Sequence, residues 1–382
     1  MAKPIKDHLE LEIKPSENDY EESPTTKTVF FFGCSRSHSR RTEKNTWVIS
    51  LFVMLHLVAF AATMFVNDCP TNSNQDCVLG GLGRLSFQPL AENPFLGPSS
   101  STLDTVGALC RKSVIKQHQV WRLFTCPWLH AGFIHLVVNL ASVIFVGIHL
   151  EQEFGPLRIG VIYMLSALFG SLGSAFFVQN IPAVGSSGAL FGLLGALLSG
   201  LIRNWKVYSD KFAVLAALVL VALVNFGLGL LPHVDNFSNM GGFVSGFLLG
   251  LALLFNPHVE QVAQNKKGLF EYNEKISLSF KHKLDKPVLR SVSLVLFTII
   301  VAGGVIGVIH GFNANKYCSW CHYANCVPSK RWSCNEKIIP CEVTVSAGRL
   351  TLTCKRNDKF QTFPFTNISQ ARIADLCSQI CS

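Results

Sequence analysis

The chain has 382 residues, of which 49% are hydrophobic and 15% charged, and its formal net charge is +9. A mean hydropathy of +0.34 excludes an ordinary soluble globule and points to a membrane protein. The excess positive charge lies beside apolar runs, where it reads as membrane topology and contact with the lipid bilayer, not as a nucleic-acid surface.

Residues 1–45 mix acids and bases without a long apolar run. They are expected to be a disordered cytosolic tail and not a cleavable secretory signal. A helix that crosses lipid satisfies its own backbone and needs roughly 20 apolar residues. Seven stretches qualify, at about 46–66, 133–150, 156–178, 187–202, 212–231, 236–255 and 289–311. Arg36, Arg40, Arg41 and Lys44 precede the first span, and Arg203, Lys206, Lys211 and several lysines between 266 and 286 fall on the same side. By the positive-inside rule that side is cytosolic. The expected fold class is an all-α polytopic membrane protein. Its parts are a six-helix membrane domain (46–255), a basic cytosolic linker (256–288), a seventh transmembrane helix (289–311) and a luminal Cys-rich tail (312–382).

The loop after the first span holds Cys69, Cys77, Cys110 and Cys126 and the pair Trp121-Arg122. At the second span His135 and Asn139 stand four apart, so they share one helix face. They either hold the bundle together by interhelical hydrogen bonds or line a polar cavity. In the stretch PAVGSSGALFGLLGA, Gly185, Gly188, Gly192, Gly195 and Ala196 put small residues on one side of a helix start, with Ser187 at its head. A serine there is a cap or a nucleophile. Gly242, Gly246 and Gly250 form a second stripe of small residues, so the fourth and sixth helices are expected in close contact. Asn236-Phe237-Ser238 is formally a glycosylation sequon but falls at the membrane surface.

The tail carries eight of the 13 cysteines: Cys318, Cys321, Cys326, Cys334, Cys341, Cys354, Cys377 and Cys381. In an oxidising lumen this composition reads as a disulfide-stapled module of undetermined pairing, with a zinc site opening on CSWC as the alternative. Asn367, in Asn367-Ile368-Ser369, is a glycosylation acceptor on the same luminal side.

Taken in order, these pieces resemble the rhomboid family of intramembrane serine proteases over most of residues 46–311. Trp121 and Arg122 match the family's Trp-Arg pair, and His130, His135 and Asn139 match its polar positions at the second span. Glu151 and Gly155 match Glu-x-x-x-Gly, Gly185 to Gly188 match the Gly-x-Ser-Gly nucleophile motif, and Gly242, Gly246 and Gly250 match the sixth-helix stripe. The seventh span and CSWCHYANC resemble the secretory-pathway rhomboids of plants. The resemblance implies a six-helix bundle plus one C-terminal transmembrane helix, with Ser187 as nucleophile and with His135, Asn139, Gly185 and the Ser187 backbone N–H around an oxyanion.

One position departs from the pattern. Active members carry a histidine before the glycine stripe, and this chain carries Asn239. A serine hydroxyl needs a neighbour that takes its proton and returns it to the leaving amine, and an asparagine amide has no usable basicity. Loss of one member of such a unit costs on the order of 10⁴ to 10⁶ in turnover. The expectation is therefore an inactive homologue, a pseudoprotease that binds transmembrane segments of client membrane proteins and regulates their trafficking, stability or processing. The alternative is an active protease using Ser187 with a displaced base; His233, off the Asn239 face, is the obvious candidate. A channel or transporter is a third reading, without a clear inverted repeat and without a carboxylate inside a span beyond the interfacial Glu151. No cofactor and no metal is expected, and the protein is placed in the secretory pathway, in the Golgi, endoplasmic reticulum or plasma membrane.

Overall fold

The computed structural model describes residues 46–72, 77–90, 93–177, 182–205, 210–231, 233–254, 287–318, 321–325, 341–346, 349–354, 358–364 and a few positions up to 380. The expected cytosolic tail, nearly all of the basic linker, Asn367, Cys326, Cys334 and Cys381 lie outside the described residues.

Among the described residues, seven long helices carry the fold: α1 (Trp47–Asn67), α2 (Phe133–Phe154), α3 (Pro156–Phe177), α4 (Ser187–Arg203), α5 (Lys211–Leu228), α6 (Asn236–Leu253) and α7 (Pro287–Ile309). Five of them, α1, α2, α3, α5 and α7, are long and apolar enough to cross a membrane. Helix α4 has only 17 residues, about 25 Å at 1.5 Å per residue. It can be short because it lies at the centre: 14 of its residues are buried, so other helices rather than lipid surround it. Helix α6 opens with the polar run Asn236, Ser238, Asn239, which lowers its hydropathy but meets protein rather than lipid, since Asn236 and Asn239 are fully buried.

Small residues set the central packing. A Cβ at Gly242 would overlap the Gly188 carbonyl, one at Gly246 would overlap the Gly192 carbonyl, and one at Gly250 would lie 2.8 Å from the Ala196 Cα. Helices α4 and α6 therefore run parallel with backbones in contact, which residues with larger side chains would forbid. Leu190, Leu193, Leu194, Leu197 and Leu201 of α4 fill the core with Ile159, Ile162 and Tyr163 of α3 and Val143, Val146 and Leu150 of α2.

At the end opposite Ser187, Glu151 joins two helices. Its carboxylate accepts the Val48 and Ile49 N–H groups at 2.9 and 3.0 Å, so the end of α2 caps the start of α1 and places charge where the helix dipole favours it. Gly155 then turns the chain into α3 with φ +92°, a conformation that favours glycine. Helix α7 lies outside the bundle against α3 and α6, with Gly307 close to the Phe176 ring and Phe297 against Phe169.

The tail adds a small antiparallel sheet, β1 (Cys341–Ser346), β2 (Arg349–Cys354) and β3 (Phe360–Pro364), in the order β1-β2-β3. Leu350, Leu352 and Cys354 alternate inward against Ile373, Leu376, Cys377 and Ile380. Disulfides join Cys69 to Cys77, Cys318 to Cys321 and Cys341 to Cys377, and Cys354 is also disulfide-bonded. Cys318 and Cys321 are thus paired with each other rather than offered as zinc ligands, and Cys110 and Cys126 are buried.

Candidate functional site

Ser187 owes its position to the chain that leads into α4. Ala183 pairs with Leu109 through two 2.9 Å backbone bonds, the Val184 N–H donates to the His233 carbonyl, and the Gly185 N–H donates to the Cys126 carbonyl. Three separate segments therefore hold the strand that ends at Ser187. The serine is the first residue of α4, where free N–H groups and the helix dipole favour developing negative charge. Its Oγ makes no hydrogen bond among the described residues. It opens on a crevice lined by Cys126, Ser171, Ser174, Gly185, Asp235 and Ser238, with about 10 Å³ for the centre of a water, room for roughly one molecule.

The His135 ring stands directly beside Gly185. A Cβ there would sit 2.7 Å from the ring Cε1 and 3.7 Å from Ser187 Oγ, and Gly185 has φ +136°. Both the close approach and the backbone conformation call for glycine. The Ala131 N–H donates to His135 Nδ1 at 3.4 Å, which puts the imidazole proton on Nε2, a buried donor with no partner among the described residues. Asn139 donates to the His135 carbonyl and leaves its own Oδ1 buried with no partner among the described residues. Unpartnered buried polar atoms are uncommon and costly, and here they stand with Ser187 at one end of the bundle.

Asn239 lies one helical turn before Gly242, on the face that meets α4. Its orientation is fixed from outside. Asn236 donates from Nδ2 to the Phe226 and Ala324 carbonyls at 3.1 and 2.8 Å, so its Oδ1 must be the acceptor. The Asn239 Nδ2 donates to that Oδ1 at 2.8 Å, leaving Asn239 Oδ1 buried without a partner among the described residues. No hydrogen bond joins Asn239 to Ser187.

The other sequence-selected positions are structural supports. Arg122 is buried and donates to the Asp104 and Ala108 carbonyls, to Asp104 Oδ1 and to Gln119 Oε1, at 2.6 to 2.9 Å, while half-exposed Trp121 covers its guanidinium. His130 pairs with Ser186 Oγ through Nε2 at 3.1 Å. His233 lies between the Pro182 carbonyl and Ser100 Oγ, at 3.3 and 3.1 Å, which removes it from Ser187. Asn236 is fully buried, so its sequon is unavailable.

Sequence reasoning passed over several residues. His56 Nε2 meets the Tyr163 hydroxyl at 2.7 Å, and the rings of His56, His130 and His135 follow one another 5.2 and 5.3 Å apart. Asp235 caps α6 by accepting the Phe237 N–H. Burial raises its carboxyl pKa, opposed by nearby Ser174, Asn325 and backbone N–H groups. The spacing of Asp235 and Asn236 ahead of Asn239, at i−4 and i−3, was the signal available for both.

Residues 117–256 match the Rhomboid domain family model. Over 323 residues the chain is 48% identical to Inactive RHOMBOID-like protein 8 of Arabidopsis thaliana, spanning 84% of this chain and 91% of that protein. The chain belongs to the rhomboid family. This rhomboid is also 46% identical over 337 residues to Arabidopsis thaliana RHOMBOID-like protein 1, covering 88% of this chain and 85% of that protein. It is 44% identical over 305 residues to RHOMBOID-like protein 6, mitochondrial, of the same plant, covering 78% and 97%. Rhomboids are intramembrane serine proteases, and this one is a multi-pass membrane protein.

Proposed function

We propose that this rhomboid is a pseudoprotease: it keeps the scaffold and the polar cavity of the family, lacks the general base, and binds transmembrane segments of client membrane proteins. The observation that carries the reading is Asn239, a side chain without basicity one helical turn before Gly242, whose backbone meets α4 at Gly188. Acylation requires a proton acceptor for Ser187 Oγ, and His233 is engaged elsewhere. His135 Nε2–H, Asn139 and the α4 N-terminus can still hold a peptide carbonyl by hydrogen bonds, since binding donors outlast the loss of the base. Client binding then regulates trafficking, stability or processing. The similarity to Inactive RHOMBOID-like protein 8, at 48% identity, agrees with this reading.

The sidedness follows from chemistry at the Ser187 end. The Cys69–Cys77 disulfide after α1 and the Cys318–Cys321 disulfide after α7 support an oxidising compartment there, hence a secretory-pathway membrane with a luminal tail glycosylated at Asn367. A mobility shift on glycosidase treatment, lost in Asn367→Gln, tests that assignment; an unmodified Asn367 contradicts it.

The displaced-base reading has one observation in its favour, since the Asp235 carboxyl lines the crevice with Ser187. Cleavage of a transmembrane reporter by wild type, abolished by both Ser187→Ala and Asp235→Asn, would establish it. The pseudoprotease reading predicts no cleavage by wild type and cleavage by Asn239→His.

A further inference from the structure

The chain that follows α7 returns to the Ser187 end and is fastened there at successive points. Arg111 donates to the Gly311 and Phe312 carbonyls. Asn315 Nδ2 donates to the Phe177 carbonyl at the end of α3 at 2.6 Å, and Phe312 packs between Phe176 and Tyr317. The last anchor is on α6: the Asn236 N–H donates to Asn325 Oδ1 at 2.6 Å, and Asn236 Nδ2 donates to the Ala324 carbonyl at 2.8 Å. Between the anchors at Asn315 and Asn325, the Cys318–Cys321 disulfide shortens the path and limits its freedom.

Asn236 is where these contacts become consequential. The same side chain donates to the Phe226 carbonyl near the end of α5 and accepts from Asn239. Helix α5 has few other ties: its buried residues are Val214, Leu218 and Asn225, the last donating to Ser142 Oγ of α2 at 3.0 Å. Its C-terminal end is joined to α6 through Asn236, and Asn236 is held by the tail.

We infer that residues 311–318 and 321–325 act as a strap that locks the α5–α6 corner through Asn236, the acceptor that holds the Asn239 side chain, from outside the helical bundle. The inference rests on the contacts of Asn236 and does not depend on the pseudoprotease reading. With the strap released, Asn236 loses two of its four hydrogen bonds. The end of α5 then loosens against α6.

The test is hydrogen–deuterium exchange on the full chain in nanodiscs, read on peptides covering 224–231 and 236–243, for wild type, Asn325→Ala and Asn325→Asp. Alanine removes the acceptor for the Asn236 N–H, and exchange in both peptides should rise roughly tenfold, as expected for loss of one tie on a locally opening unit. Aspartate keeps an oxygen at that place and should return exchange to near the wild-type rate, which general damage to the tail would not do. Cys318→Ser/Cys321→Ser should accelerate the same peptides while α2 and α3 exchange as in wild type. Wild-type exchange in Asn325→Ala overturns the inference, as does equal acceleration in Asn325→Ala and Asn325→Asp.

Discussion

Substitution of Gly246 by alanine tests the packing on which the site depends. The new Cβ would overlap the Gly192 carbonyl and stand 2.5 Å from the Gly192 carbonyl carbon, where ordinary contact begins at 3.4 Å. The atoms it meets are backbone, so no side chain can rotate away; α4 and α6 must separate at this level. Overpacking of this kind costs about 1–3 kcal/mol, and each kcal/mol lowers a melting temperature by about 2–4 °C in a domain of this size class. Gly227→Ala in α5 is the control, because a Cβ there meets nothing within 4 Å, and it removes only backbone freedom. Thermal unfolding of the purified protein in detergent, followed by intrinsic fluorescence, should show Gly246→Ala melting clearly below wild type and Gly227→Ala at or above it. Equal melting temperatures for the two variants would refute the backbone contact between α4 and α6.

Further predictions concern the supports of the site. Glu151→Gln keeps the size of the side chain but removes the charge and one acceptor for the Val48 and Ile49 N–H groups; a loss of about 1–3 kcal/mol is expected, seen as a lower melting temperature and faster hydrogen exchange at the start of α1. Burial holds His233 below its ordinary value of 6.5. The unfolded chain therefore takes up a proton near that pH that the fold resists, so stability is full above 6.5 and declines as the pH falls toward the folded-state value. Melting temperatures measured between about pH 7.5 and 5.5 should fall for wild type, and the fall should be smaller in His233→Gln. Gly185→Ala would press on the His135 ring and force φ +136° on a residue with a side chain, so the variant should fold poorly or lose any carbonyl binding at Ser187. Near-wild-type melting and client crosslinking in Gly185→Ala would contradict the account of that turn.

The helices were legible because lipid demands long apolar runs, and α2, α3 and α4 begin at or within a residue of the expected positions. The glycine stripes were legible for a related reason: residues without side chains four apart serve close packing and little else. The side-chain network was much less so. His56 belongs to no motif, and nothing in its neighbours announces Tyr163, which lies 107 positions away and meets it only in the bundle. Asn236 carried a sequon pattern that drew attention from its real contacts, with Phe226 nearby in sequence and Ala324 distant. In the tail, eight cysteines dominated the reading, although Cys341-Glu-Val-Thr-Val-Ser alternates with the period of a strand and forms β1. Spacing could not decide whether CSWC binds zinc or closes on itself, since both chemistries use the same residues.

The central claim is that Asn239 removes the proton acceptor from an otherwise assembled serine site. The most direct measurement is cleavage of a reporter with a destabilised luminal-end transmembrane segment, co-expressed with wild type, Ser187→Ala, Asn239→His, and Asn239→His combined with Ser187→Ala. The account predicts no product with wild type, a product with Asn239→His, and its loss in the combined variant. A product from wild type that disappears in Ser187→Ala would contradict it.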